Sequence, residues 1–319
     1  MAAVLGLWVV AAVYADGWAH LNRPDLESFF TPWHGALYAG FTLLAGWVGW
    51  LDWRRRHETR SWQRALPAGY GFAALGVLIF IVGGVADMLW HVVFGVEAGL
   101  DALVSPTHLM LLVGGMLLLA SPVRAVLLSG SARMWPAVVA LASTAALAGF
   151  FLSYVSVFVE PLATEPLTTI PEGTPGHRQA ESPAIVGLAG YLVTTAVLVI
   201  PLLVMARRRR LPAGTVTVVV AVVAVTGAAL AEFRYGLAAL AAVVGAAVVD
   251  LVRARMQRLD LRGLAVLVPA FVWPAQLAGL AITEGVRWPV ELWFGVVGLT
   301  ALAASVLGGL ARQSPTITG

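Results

Sequence analysis

The chain contains no cysteine and no lysine, and it has few charges of any kind. Without cysteine there are no disulfides, thiolate nucleophiles, iron–sulfur clusters or cysteine-type zinc sites. Without lysine there is no Schiff-base link to a retinal- or pyridoxal-type cofactor. All 20 basic residues are arginine. Charged residues make up 12% of the 319 positions, against about 25% in a soluble globular domain. Hydrophobic residues make up 60%, and the mean hydropathy is +0.86. That leaves too little polar surface to coat a soluble fold, so an all-α, polytopic integral membrane protein is expected.

A crossing needs about 20 mostly apolar residues. Ten segments qualify, near 2–20, 33–52, 67–92, 106–127, 135–159, 183–206, 212–231, 235–252, 262–283 and 289–311. The expected architecture is a single membrane domain of about ten transmembrane helices arranged as repeated helical hairpins. Its repeat units fall near 1–65, 66–134, 135–210, 211–261 and 262–319. The stretch 212–252 is split at Glu232-Phe233-Arg234-Tyr235-Gly236 because it is too long for one crossing. The first segment lacks the basic start of a signal peptide and is read as a retained helix. The stretch 160–182, rich in Pro, Thr and Glu, is read as an external loop.

Arginine placement sets the expected orientation, because cytoplasmic loops carry the basic excess. One set of loops carries Arg54, Arg55, Arg56, Arg60, Arg64, Arg124, Arg133, Arg207, Arg208, Arg209, Arg210, Arg253, Arg255, Arg258, Arg262 and Arg312. The opposite loops carry only Arg23, Arg178, Arg234 and Arg287. The first set is read as cytoplasmic, together with both termini, in a plasma (inner) membrane. The basic pI of about 9.7 then reflects an anionic inner leaflet. The lipid bilayer is the partner, and no nucleic acid is called for. Among the 17 acids, Asp52, Glu58, Asp250 and Asp260 share the arginine side. The others form an outer rim that attracts cations. Asp250 is read as an interface residue.

The informative feature is a duplication. The first copy runs Asp16-Gly17-Trp18-Ala19-His20, a polar loop, then Thr31-Pro32-Trp33-His34. The second runs Asp87-Met88-Leu89-Trp90-His91, a loop, then Ser105-Pro106-Thr107-His108. Asp and His at i and i+4 share one helix face, with Cβ atoms about 6 Å apart. Ser/Thr followed by Pro is a helix start, with the hydroxyl as N-cap and Pro at the first helical position. The histidine two residues later therefore sits in the first turn, at the depth of the Asp/His pair. Each hairpin thus gathers one carboxylate and two imidazoles, a ligand set for copper, zinc or iron. Ionisable groups at membrane depth are costly and mark function.

Fainter echoes are Ser182-Pro183, read as a helix start without the histidine, and Trp288-Pro289-Val290-Glu291, where Glu291 replaces it. Glu160, Glu232, Glu284 and Glu291 stand at outer helix ends as additional ligands, proton carriers or rim acids. His177 is read as a solvated loop residue and His57 as interfacial. Trp18, Trp33, Trp90 and Trp288 form an outer aromatic belt. Gly83-Gly84 and Gly114-Gly115 serve close helix packing.

The pattern Asp16, His20, His34 resembles the metal motif of the C subunit of particulate methane and ammonia monooxygenases. There a membrane helix offers Asp and His four apart, and the next helix a second His about a dozen residues on. Asp87, His91 and His108 match the same pattern with a longer loop. In that family these residues bind copper, so the resemblance implies copper at one or both groups. It covers two short windows of the chain. The reading is a copper-dependent oxidase or monooxygenase of apolar substrates with its metal site at the outer face, or the metal-binding subunit of one. Partner membrane subunits or a homo-oligomer go with that reading. The alternatives are a metal-ion transporter or delivery protein, a zinc-dependent membrane lipid hydrolase, and, last, a haem protein. Met-rich motifs are missing, with Met88 and Met110 isolated, which speaks against a Cu(I) carrier.

Overall fold

Hydroxyl caps, prolines and glycines decide where the apolar runs begin, bend and touch. The computed structural model describes residues 1–23, 30–59, 66–95, 99–256 and 259–313. Arg60, Arg64 and Arg258 of the cytoplasmic set lie outside them, as do the side chains of His57 and Glu58. The described residues are helix and loop, with no strand. They form two compact units, residues 1–151 and 152–319.

The first unit holds α1 (Ala2–Asn22), α2 (Pro32–Thr59), α3 (Gly71–Phe94), α4 (Leu100–Val104), α5 (Pro106–Leu119), α6 (Ser121–Ser129) and α7 (Trp135–Phe151). Three close approaches place its helices. A methyl group on Gly76 would lie 2.7 Å from the Gly114 carbonyl oxygen, so α3 and α5 touch backbone to backbone. Trp8 of α1 fills the space at Gly40 of α2 and donates its indole N–H to the Ala36 carbonyl, 3.1 Å away. Tyr14 of α1 donates to the Ala146 carbonyl of α7 at 2.9 Å. One run expected as a single helix, 106–127, is broken at Ala120. Pro122 has no N–H to give the preceding turn, and the chain restarts as α6.

The second unit begins with short 3-10 turns at Ser153–Val155 and Leu162–Thr164, then α8 (His177–Ala206), α9 (Thr215–Leu230), α10 (Gly236–Arg255), α11 (Leu261–Thr283) and α12 (Val290–Gln313). The expected helix 135–159 therefore stops at Phe151. The irregular backbone after it is buried: Val157 and Phe158 are covered, Gln276 donates to the Val157 carbonyl, and Gly190 leaves room for Val155. Non-helical backbone at membrane depth survives where protein surrounds it. Two more polar contacts tie α8 to α11, Tyr191 to Gln276 at 2.7 Å and Trp273 to Thr195 at 2.9 Å.

Pro183 does not start a helix. It lies within α8, which begins six residues earlier, and Ser182 bonds back to the Arg178 carbonyl at 3.0 Å. The split at residues 231–235 is present, and the turn runs through Glu232 and Phe233 at φ 54° and 58°. α12 begins directly after Pro289, with Glu291 in its first turn.

Among the described residues, seven segments are long and apolar enough to cross a membrane: α1, α3, the α5–α6 run, α8, α10, α11 and α12. α7 and α9, with 17 and 16 residues, are shorter apolar helices. Length and composition thus support seven of the expected ten or so spans among the described residues. α2 is long enough at 28 residues, but Arg54, Arg55, Arg56 and His57 fall within its second half.

Candidate metal centres

The two duplicated patterns become two groups of side chains, both in the first unit. Within each group one ligand atom from every residue lies within 4.8 Å of the others, close enough to share a metal ion.

The Asp87 group is built by α3 and α5. Asp87 and His91 share one face of α3 near its end, four residues apart. The glycine contact at Gly76 and Gly114 draws α5 against that face. Ser105 caps α5, accepting the His108 backbone N–H at 3.4 Å, and this fixes His108 in the first turn. The His91 Nε2 lies 3.6 Å from one Asp87 carboxylate oxygen, and the His108 Nε2 lies 3.6 Å from the other. Asp87 is buried, as is the side chain of His91.

Those separations are too long for hydrogen bonds, which span about 2.7–3.2 Å. They match donors around one ion: bonds of about 2.1 Å in a tetrahedral site separate the ligand atoms by about 3.4 Å. The far sides of both rings are held. His91 Nδ1 lies 3.2 Å from the Gly95 carbonyl, and His108 Nδ1 lies 2.7 Å from the Ser105 hydroxyl. With Nδ1 protonated in each ring, Nε2 keeps its lone pair toward Asp87. Ser105 Oγ then accepts from His108 and donates to Thr107 Oγ1, 3.3 Å away. Thr107 donates in turn to Asp87 Oδ1 at 2.9 Å. One cap residue thereby orients an imidazole and, through Thr107, the carboxylate.

The Asp16 group is built by α1 and α2 in the same manner. Thr31 caps α2, accepting the His34 backbone N–H at 3.1 Å, and lies 3.1 Å from His34 Nδ1. Asp16 Oδ2 faces His34 Nε2 at 3.5 Å and His20 Nε2 at 3.8 Å. The other oxygen, Oδ1, is buried and accepts no hydrogen bond among the described residues. No partner for His20 Nδ1 is present among the described residues. Trp18 and Trp33 meet edge to face beside the group, ring centroids 5.8 Å apart.

The remaining polar residues are placed elsewhere. Glu160, Glu232, Glu284 and Glu291 lie in the second unit, and neither group contains them. Burial pushes the Tyr235 hydroxyl above its ordinary range, a rise that Arg234 opposes and the negative charges of Glu284, Glu165 and Glu160 reinforce. His177 is not simply solvated: its Nδ1 meets the Ile170 carbonyl at 2.7 Å and its Nε2 lies 3.8 Å from Glu181. Trp288 is buried against Gly187 rather than belted at the surface. Asp250 is committed to structure, accepting from Thr217 N–H and Oγ1 at 2.9 Å and from Arg253 at 2.5 Å.

Two contributors have no role in the motif as read from the sequence. Thr107 is the variable position of Ser105-Pro106-Thr107-His108, and its bond to Asp87 crosses between helices. Tyr38 follows His34 by four residues, and their rings stack with centroids 6.3 Å apart. Its i,i+4 spacing is the one signal that could have found it. No family model, curated protein or solved structure matches the chain, so the donor chemistry carries the functional reading.

Proposed function

We propose that this protein is a membrane-embedded metalloprotein. It holds transition-metal ions in its two Asp/His/His groups and oxidises apolar molecules, as the enzyme itself or as its metal-binding subunit. The observation that carries this reading is the donor geometry. Each group aims two imidazole nitrogens at one carboxylate from 3.5–3.8 Å, and second partners hold the opposite nitrogens of three of the four rings. Two imidazoles with a carboxylate suit copper, iron or zinc. The resemblance of Asp16, His20 and His34 to the monooxygenase C-subunit motif favours copper.

Three protein ligands leave a coordination position for a small molecule, and the bound metal would supply redox or Lewis-acid chemistry there. The chain's own residues hold the imidazole tautomers. Leu89, Val92, Val93 and Phe94 are exposed on the helix that carries Asp87 and His91, which supports an apolar substrate arriving through lipid. A carrier would need polar steps deeper in the bundle. Two buried hydroxyls of the first unit, Ser121 and Ser143, instead bond to carbonyls of the preceding helical turn.

The test is metal analysis of protein purified without chelators. Copper at one or two equivalents, with oxygen-dependent turnover of an apolar substrate, supports the proposal. Zinc in its place moves the reading to a hydrolase. No metal in any preparation overturns it, and makes the groups a polar clamp between helices.

A further inference from the structure

The two groups stand on separate hairpins, and α2 of one packs against α3 of the other. Phe41 of α2 stacks on Phe80 of α3, centroids 4.3 Å apart and planes 17° apart. One turn along, Tyr38 lies against Gly84: a methyl group built there would sit 3.0 Å from the Tyr38 hydroxyl and ring edge. Moving from 41 to 38 on α2 corresponds to moving from 80 to 84 on α3, so the two helices run antiparallel along this seam. One more turn along the same register sets His34 level with Asp87. A ligand of the first group thus stands at the level of the carboxylate of the second.

We infer that the Asp16 and Asp87 groups form one two-metal unit, joined by Tyr38. The inference rests on the metal-binding reading above. Tyr38 stacks on the His34 imidazole at one side and seats its hydroxyl end on Gly84 at the other. Gly84 lies three residues before Asp87 on the same helix. Tyr38 is a positioning residue: it sets the angle of His34 according to where α3 stands, and α3 carries two ligands of the second group. A glycine at position 84 is what lets the phenol reach that far, because any side chain would meet it.

Two measurements on full-length protein, loaded with Cu(II) alone, test this. In wild-type protein with two equivalents, EPR should show an interacting pair of Cu(II) ions. Two isolated signals, equal to the sum of those from His20→Ala/His34→Ala and His91→Ala/His108→Ala proteins, overturn the two-metal unit. The second measurement uses the His91→Ala/His108→Ala background, where only the first group can load. There Gly84→Ala, a change on the other group's helix, should weaken Cu(II) binding about tenfold, as coupled sites commonly do. The effect should vanish when Tyr38→Ala is added. Tyr38→Phe, which keeps the ring on His34 and its edge at Gly84, should restore the Gly84→Ala effect that Tyr38→Ala abolishes. An effect of Gly84→Ala that is absent, or is the same with and without Tyr38, overturns the role of Tyr38. Wild-type protein that binds no Cu(II) at either group overturns the metal-binding reading itself, a result distinct from both.

Discussion

The Asp87 and Asp16 groups use the same three residue types on the same helix–loop–helix plan, yet they are finished differently. In the Asp87 group each carboxylate oxygen faces its own imidazole, and both imidazoles are held at Nδ1. In the Asp16 group a single oxygen faces both rings, and the hydroxyl cap holds His34. The carboxylates differ too: Asp87 takes a hydrogen bond from Thr107, while Asp16 Oδ1 takes none among the described residues. The lesson is that identical ligands do not make identical sites. Partners behind the ligands fix tautomer and angle, and their loss typically costs 10–100-fold in metal affinity.

The largest effect that can break this comparison is loss of the shared carboxylate. Asp87→Ala and Asp16→Ala should each remove one equivalent of metal, read by elemental analysis, because each aspartate is the common neighbour of both imidazoles in its group. A variant that retains two equivalents would show that the carboxylate is no ligand. Next is the difference between the groups. Protein with only the Asp87 group, made by His20→Ala/His34→Ala, should hold Cu(II) about tenfold or more tighter than protein with only the Asp16 group. Chelator competition measures both. Equal affinities, or the reverse order, would mean that the held rings and the Thr107 bond do not pre-organise the site.

How much of this was readable from the residues depends on the distance over which each feature is decided. Asp16 with His20, and Asp87 with His91, follow from helical period alone. Thr31 with His34, and Ser105 with His108, follow from the chemistry of a helix start. All four pairs lie within one turn of chain, and all appear where the spacing puts them. The Thr107 bond to Asp87 spans 20 residues and depends on how closely α3 meets α5. The Tyr38 contact at Gly84 depends on the α2–α3 register. Neither has a local signature. The fold shows the same division. The apolar runs marked the helices, while their ends were set by contacts that the runs do not contain. α7 stops at Phe151 because the segment after it finds buried partners in Gln276 and the gap at Gly190. Pro183 is carried as the seventh residue of α8, and the helix continues past it.

Smaller effects come from the caps, and they separate the two groups most finely. Thr107→Val keeps the shape and removes the donor to Asp87, and should weaken the Asp87 group about tenfold while leaving the Asp16 group unchanged. Ser105→Ala acts at the same group through three routes: it releases His108 Nδ1, unlinks Thr107, and removes an N-cap worth about 1 kcal/mol. Thr31→Ala acts through two, the cap and His34 Nδ1, since among the described residues none stands between Thr31 and Asp16 in the role that Thr107 has. Both substitutions should lower thermal stability by a similar small amount, because both uncap a helix. They should differ in metal affinity, with Ser105→Ala costing its group more than Thr31→Ala costs the other. The comparison is read on the two single-group proteins by melting and chelator competition together. Equal losses of affinity would show that the relay from Ser105 through Thr107 to Asp87 adds nothing beyond the cap. The advantage of the second group would then lie in burial and in the His91 bond to Gly95.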